Sequence, residues 1–162
     1  MQPGPIIYRS ATSVHDEIHA KCLRYWEARR NDRRWPAPDS VVTDDLTRHL
    51  PWLHMYDIWE NGGFRVRLMG SAIVKLAGED LTGLAGGPDD KDAKVKRAAE
   101  VLAKVVAMGE PVVTQVEGSV LPGARFHQLD TLWLPLSDDG ETIAVVLAAT
   151  AAQEIFDFVD AS

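Results

Sequence analysis

Alternation of apolar and polar side chains marks the clearest strand of this chain. Phe64, Val66 and Leu68 alternate with two arginines and a methionine, which is the two-residue period of a strand with one face on a core. The segment 53–59 before it is also rich in β-forming residues. The two are separated by Glu-Asn-Gly-Gly, whose Asn and Gly readily adopt the positive φ of a tight turn. The pattern predicts a β-hairpin.

Helical periodicity follows the hairpin. Ser71 is predicted to cap a short helix that Gly78 closes. The longest predicted helix is Asp89–Met108, which has apolar residues on one face and is ended by Gly109 and a nearby proline. Three further strands are predicted, separated by glycine-containing turns: Val112–Val120, Phe126–Leu136 and Thr142–Ala149.

This order of a strand pair, helices and a strand trio predicts an α+β domain. Its expected architecture is a five-stranded antiparallel sheet with helices on one face, preceded by an N-terminal amphipathic helix. The 162 residues suit one domain with a helical extension. We expect a flexible leader, because Pro3 and Pro5 oppose regular structure, then three further segments. The predicted division is 1–12 leader, 13–50 helical extension and connector, 51–152 core and 153–162 tail.

The N-terminal helix is predicted to begin at Ser13, with Asp16 in a position like that of a capping box. Ile18, Cys22 and Trp26 belong to its apolar stripe. Such a stripe has to be buried, either on the outer face of the domain's own sheet or against the same helix of a second copy. We therefore expect these three residues to form an interface, and a homodimer through this helix.

Composition limits the partners and the compartment. The formal net charge of -7 argues against a nucleic-acid partner, because phosphates attract basic surfaces. The single cysteine rules out an internal disulfide and fits a reducing cytoplasm. No apolar run is long enough to span a bilayer, and the N-terminus lacks the layout of a signal peptide. We expect a cytoplasmic protein without a membrane span.

Five motifs in this order resemble the PAS_5 family of small bacterial PAS-like proteins. One departure is Pro38, where such proteins often carry a basic residue. The resemblance covers most of the chain and implies a sensory domain. The motifs are LRYWEARR at 23–30, WPAPDSVVTDDLTRHLPWL at 35–53, FRVRLMGSAI at 64–73, GEDLTG at 78–83 and LWLPLSDDG at 132–140.

The resemblance also implies a use for the space between sheet and helices, where PAS domains commonly hold a ligand or transmit strain. A solid apolar core explains the same side chains without a ligand. The predicted pocket lining is Phe64, Val66, Leu68, Ile73, Leu76, Leu81, Leu102, Val105, Leu132, Val145 and Leu147.

Two cofactors known from other PAS proteins fit the sequence poorly. Flavin photoreceptors of this type need a cysteine in a helix after the second strand, whereas the single cysteine is Cys22. Haem-binding members usually ligate iron with a histidine near the long helix, yet no histidine lies between His54 and His127. The cofactor therefore remains unknown, and a small apolar or amphipathic metabolite, or no ligand, is left open.

No constellation for catalysis stands out, since a phosphate loop, a nucleophile elbow and cysteine pairs at zinc spacing are all missing. His15 and His19 are one helical turn apart, which suits either a metal or an exposed polar face. His54 and His127 either bond within a ligand cavity or are satisfied by backbone. We expect a non-enzymatic sensory or regulatory module that binds a small ligand, an unknown signalling protein or both in bacterial signalling. The alternative is a purely structural interaction adaptor or dimerisation module with no ligand.

Two strand residues have two interpretations each. Arg67 corresponds to a basic residue of the family and either links to a carboxylate across a helix–sheet or subunit contact or is a solvated strand residue. Trp133 either anchors an outward-facing interface or covers the domain's own core.

Overall fold

A computed structural model of the chain describes residues 5–11, 14, 16–117, 124–125, 128–153 and 157–158. Three α-helices occur in this part of the chain: α1 Glu17–Arg30, α2 Ser71–Ala77 and α3 Ala93–Met108. Its strands are β1 Ile7–Ser10, β2 Leu53–Ile58, β3 Phe64–Met69, β4 Ala85–Gly86, β5 Val112–Glu117, β6 Ala124–Arg125, β7 Gln128–Leu136, β8 Val145–Gln153 and β9 Asp157–Phe158.

The main sheet is antiparallel, with the strand order β1-β5-β7-β8-β2-β3-β4. Strands β6 and β9 pair separately. The mixed helix-and-sheet class with an antiparallel sheet is confirmed, but the sheet has seven strands where five were expected. The two additional strands are its edges. They were missed because short edge strands are defined by their neighbours more than by their own pattern.

Strand β1 lies in the segment expected to be a flexible leader. Ile7 is in register with Gln115 and Ser10 with Val112, so the free edge of β5 is hydrogen-bonded by this segment. Pro5 precedes the strand and removes no donor from the ladder.

The predicted hairpin of β2 and β3 is confirmed, with its first strand ending at Ile58. Gly62 has a φ of 83° in the turn, and the Trp59 N–H donates to Gly63 O over 2.9 Å. The pairing shifts between Met55 and Tyr56, which places a bulge in β3 near Arg67.

The helix starts differ from the sequence expectations. Helix α3 begins at Ala93 because the Asp92 carboxylate caps it, accepting from Lys94 N over 2.9 Å. In α2 the cap residue is Gly70 rather than Ser71. A 3₁₀ helix, Thr43–Trp52, precedes β2. No helix in the described ranges has the length and apolar character needed to cross a membrane.

Helix α1 docks on the chain's own sheet. It begins at Glu17, where the Asp16 carboxylate accepts from Ile18 N over 3.0 Å, and Ser13 lies outside the described residues. Trp26 Nε1 donates to Pro135 O over 2.8 Å, which fixes the helix across β7 and β8. Of the two outcomes left open for the N-terminal helix, the structure shows the first.

The sheet has two faces of different character. We call the inner face the one toward α2 and α3: α2 packs on Met69 and Leu129, and Lys104 Nζ of α3 lies 4.3 Å above the Tyr8 ring. The opposite face, under α1, is the back face. Its central positions are fully buried aliphatic residues, including Leu53, Met55, Leu132, Leu134, Leu136, Val145, Leu147 and Ala149.

Candidate functional site

Four side chains form a connected hydrogen-bond network on the inner face, which we call the inner polar chain. The Tyr56 hydroxyl lies 2.6 Å from His54 Nδ1, and His54 Nε2 lies 2.8 Å from Thr150 Oγ1. Thr150 Oγ1 in turn lies 3.0 Å from Thr131 Oγ1. The register brings these residues together, because Thr131 pairs with Thr150 and His54 pairs with Ala148 two positions before it.

Trp133 packs beside this network and adds an aromatic surface to the inner face. Its Nε1 donates to Thr114 Oγ1 over 2.8 Å, and its ring centroid lies 5.6 Å from that of His54 and 6.0 Å from that of Tyr56. The Tyr56 ring also meets Phe64 edge-on at 6.0 Å. Trp133 therefore belongs to an intramolecular cluster on the inner face.

Burial keeps the inner polar chain uncharged. It lowers the pKa of His54 to about 3 and raises the pKa of Tyr56 above its ordinary value. A neutral imidazole has one donor and one acceptor nitrogen, so the chain can run in either direction. In one direction Tyr56 donates to His54, and in the other it accepts from His54 and its own O–H is released for another acceptor.

Coverage of the inner face is incomplete. Tyr56, Met69, Leu129 and Trp133 are half-buried although they face α2 and α3, whereas the central positions of the back face, such as Leu132 and Leu147, are fully buried. None of the described strand positions on the inner face of the main sheet carries a charged side chain. The inner face thus offers accessible aromatic surface with a few neutral polar groups.

The structure divides the predicted pocket lining between the two faces. Phe64 and Val66 lie on the inner face. The predicted lining residues that lie on the helices are buried. Leu81 is half-buried and donates its N–H to Met69 Sδ over 3.2 Å. The buried helical members are Ile73 and Leu76 of α2 and Leu102 and Val105 of α3.

The other four predicted lining residues do not face α2 and α3. Leu68, Leu132, Val145 and Leu147 are on the back face, in register with Met55, Ala149 and their neighbours. Two physical reasons account for this. The central strands are apolar on both faces, so alternation defines two sets without saying which set faces which helix. The bulge near Arg67 also moves Leu68 to the other face from Val66.

The predicted interface residues of α1 are internal. Ile18, Cys22 and Trp26 are buried between α1 and the sheet, so they are not a surface for a second copy while the helix is docked. Burial raises the pKa of the Cys22 thiol to about 12. A homodimer remains a prediction, and it would need another surface or release of α1.

Arg67 pairs within the sheet. Its Nε lies 2.8 Å from Asp57 Oδ1 on the neighbouring strand β2, rather than on a helix. The Arg67 side chain is 46% exposed, so we expect the pair to contribute under ~1 kcal/mol.

The expected exposed polar face or metal site does not describe His19, and His54 bonds to the Tyr56 and Thr150 side chains rather than to backbone. His19 is buried, and its Nε2 donates to Ala149 O over 2.9 Å, so it holds α1 on the sheet. Burial lowers its pKa despite the nearby charges of Asp16 and Asp130. His15 and His127 lie outside the described residues. In the portion the structure describes, no group of three or more His, Cys, Asp or Glu side chains could hold a metal ion.

An antiparallel sheet with helices packed on it is consistent with a PAS-like fold. The family model PAS_5, described as a PAS domain, matches residues 14–150, and the chain belongs to this family. PAS domains are sensory or signalling-type domains, which sets the functional class. No curated protein matches this chain significantly.

Proposed function

We propose that this chain is a non-enzymatic sensory or regulatory module that binds a small ligand on the inner face of its sheet. The observation that supports this most is the inner polar chain set beside half-buried Tyr56 and Trp133. Ligand sites typically combine apolar and aromatic walls with a few placed polar groups. A residue set selected only for packing would have no need for four hydrogen-bonded side chains in a row on three adjacent strands.

The chemistry of this face favours a neutral ligand. The inner-face positions described in the main sheet are uncharged, and an uncompensated buried ion would be costly there. The reversible direction of the inner polar chain lets Tyr56 meet either a carbonyl or a hydroxyl. The proposed ligand is therefore a small, mostly aromatic or apolar molecule with one neutral polar group, and neither haem nor a cysteine-linked flavin.

We propose that the effect of ligand binding on the inner face is transmitted through β8 to α1. Thr150 belongs to the inner polar chain, while the carbonyl of the preceding residue, Ala149, accepts from His19 of α1. A ligand that repacks the inner face would thereby shift the balance between docked and released α1, by no more than its difference in affinity for the two states. The released helix would be read by a signalling partner in the cytoplasm or by a second copy.

The state of the two titratable groups supports a non-enzymatic role. His54 is neutral at physiological pH and both its ring nitrogens are hydrogen-bonded. The raised pKa of Tyr56 keeps its hydroxyl protonated. General acid–base catalysis works best with a pKa near the operating pH, which neither group has.

The test is to purify the full chain from its native host, denature it and identify released small molecules by mass spectrometry. We expect a neutral small molecule with the wild-type chain and roughly tenfold less with Tyr56→Phe/Thr150→Val, because each substitution removes a hydrogen bond of the site. Tyr25→Phe is the matched control, since its hydroxyl bonds to Asp45 away from the inner face.

A wild-type chain that releases no small molecule contradicts the ligand proposal. It would favour the alternative, an interaction adaptor whose inner face is simply part of the core. Hydrogen exchange in α1 is the readout for transmission. Exchange rates that are the same in ligand-loaded and ligand-free protein contradict the step through Ala149.

A further inference from the structure

A groove with a volume of about 670 Å³ opens at one end of the sheet. It lies between α3, the turn that joins β2 to β3, and the turn that joins β7 to β8. We call it the rim groove. Its wall residues are Ile58, Trp59, Glu60, Gly62, Gly63, Leu102, Ala103, Val106, Asp138, Asp139, Thr142, Ile143 and Ala144.

The interior of the rim groove is apolar. Leu102 and Val106 of α3 face Ile58 and Ile143 across it. Trp59 stands at its edge with 45% of its surface exposed, which is unusual for so large an apolar side chain in this molecule. Exposed tryptophans beside apolar pockets are frequent energetic centres of protein interfaces. On the side of the hairpin turn the lining includes Gly62 and Gly63, which have no side chains to narrow the groove.

The edge of the rim groove is acidic. Glu60 and Asp138 are exposed, and neither carboxylate has a hydrogen bond or ion pair among the residues that the structure describes. Asp139 has a different role: it accepts from Glu141 N and Thr142 N over 2.8 and 2.7 Å and thereby shapes the turn. No basic side chain is among the described residues of the lining.

We propose that the rim groove docks a basic peptide segment of a partner protein. An apolar side chain of the segment enters between Trp59 and α3, and flanking Lys or Arg residues pair with Glu60 and Asp138. The net charge of -7 favours approach of a basic partner, since the field of the whole chain attracts it. The rim groove includes neither the four residues of the inner polar chain nor Trp133, on which the proposed ligand site depends.

The shape of the rim groove favours a peptide over a small cation. Small-molecule sites enclose most of the ligand's surface, typically about 70–90%. The rim groove is open along one side, and nearly half of the Trp59 surface is exposed to solvent. An extended or helical segment fits such a groove because its other side stays hydrated.

A second copy of the chain is the weaker candidate, because its own arginine cluster is already engaged. Arg33 donates to Ser137 O and Asp138 O over 2.8 and 3.2 Å. The Arg34 guanidinium lies 4.2 Å above the Trp35 ring. Arg29 pairs with Asp45 and Arg30 with Glu27. This cluster is therefore a poor source of basic side chains for the rim groove of a second copy, and the occupant we propose is another protein.

The experiment selects random 12-residue peptides, displayed on phage, on the full chain and then measures synthetic versions by fluorescence anisotropy. We expect selected peptides to carry an apolar residue flanked by Lys or Arg. Glu60→Lys/Asp138→Lys should weaken binding roughly tenfold or more, since it replaces attraction with repulsion. Trp59→Ala should weaken it by a similar factor. Affinity should also fall as salt rises.

The matched control is Glu79→Lys/Glu117→Lys, which makes the same charge change at exposed positions away from the rim groove. Glu117 pairs with Gln128, at the opposite end of β7 from the turn that carries Asp138. This variant should bind the peptides within about twofold of wild type. Thermal unfolding of all variants checks that the fold is kept.

Three results would overturn the proposal. One is selected peptides without basic residues, or equal binding to the charge-reversed variant. Another is a wild-type dimer in sedimentation that Trp59→Ala abolishes, which would make a second copy the occupant. The third is displacement of the peptides by benzyltrimethylammonium at equal affinity, which would make the occupant a small cation. Tyr56→Phe/Thr150→Val should leave peptide binding unchanged, so failure here and failure of the inner-face ligand are distinguishable.

Discussion

His19 and His54 bind neighbouring residues of β8 from opposite faces of the sheet. His19 Nε2 donates to Ala149 O over 2.9 Å, and His54 Nε2 lies 2.8 Å from Thr150 Oγ1. Both rings are buried. The carbonyl of Ala149 is bonded by α1 from the back face. The hydroxyl of Thr150 is bonded by the inner polar chain, because the Thr150 side chain points to the inner face. The two faces of the domain are thus joined at Ala149 and Thr150.

Removal of the His19 contact should loosen α1, and Cys22 can report this. The Cys22 thiol has 0% exposure and a raised pKa, so a disulfide reagent should modify it at least ~100-fold more slowly than in urea-unfolded protein. His19→Ala loses a hydrogen bond of about 1 kcal/mol, so labelling should be roughly fivefold faster. Cys22 is the chain's single cysteine, which makes the rate unambiguous.

Arg24→Ala is the control for this measurement, because it changes an exposed position of the same helix that is not among the groups acting on the Cys22 thiol. Its labelling rate should match wild type. If His19→Ala also labels at the wild-type rate, the bond to Ala149 does not hold the helix.

Thr150 should contribute to stability through its hydroxyl. Thr150→Val keeps the shape but leaves His54 Nε2 and Thr131 Oγ1 each without this partner, so the free energy of unfolding should fall by about 1–3 kcal/mol. Thr150→Ser retains the hydroxyl and should lose about 1 kcal/mol or less. Urea unfolding of both variants provides the comparison. Equal losses for Val and Ser would show that packing, not the network, accounts for the effect.

The free energy of unfolding should decrease as the pH falls below about 6.5. The unfolded chain protonates His54 near 6.5, whereas the folded chain resists protonation down to a pKa of about 3. The unfolded state therefore binds more protons in this window, and stability falls with a slope of up to ~1.4 kcal/mol per pH unit. The lowered pKa of His19 acts in the same direction.

The contribution of His54 is isolated by substitution. Urea unfolding at pH 7, 6, 5 and 4 should show a shallower pH slope for His54→Gln than for wild type. Tyr8→Phe should keep the wild-type slope, because burial raises the pKa of Tyr8 above its ordinary value and its hydroxyl does not titrate between pH 4 and 7. A wild-type slope in His54→Gln would mean that the ring is not held neutral by its surroundings.

Gly70 should not tolerate a side chain. A Cβ at this position would overlap the backbone oxygens of Leu50 and Pro51, and backbone cannot move aside as a flexible side chain does. Gly70→Ala should therefore lower the free energy of unfolding by about 2 kcal/mol or more. Gly87→Ala is the matched control, since its Cβ would make an ordinary 3.7 Å contact with Gly63. Thermal melts that rank the two variants equally would contradict the close approach.

Local patterns predicted the elements that local interactions define. The hairpin around Gly62, helix α2 ending at Gly78 and helix α3 ending at Gly109 all follow from short-range turn and capping chemistry. Strand β1 was missed because it exists through pairing with β5, about a hundred positions away.

The candidate site was largely hidden from the sequence. Thr131 and Thr150 look like ordinary strand threonines, and only the register of β7 and β8 places them beside each other. His54 and Tyr56 offered a weak signal, as two polar residues spaced by two and therefore on the same face of their strand. The face of the sheet on which Trp133 lies could not be predicted either, because the residues around it in the strand are apolar on both faces.

The position of β8 has a consequence for synthesis of the protein. This strand lies between β2 and β7 in the sheet. It carries Thr150, the hydrogen-bond partner of His54, which is 96 positions further along the chain. On the ribosome the first hairpin therefore emerges long before the strand that completes its sheet. The nascent chain carries exposed hydrogen-bonding edges until β8 has been synthesised, and chaperone engagement is expected to be concentrated in that interval.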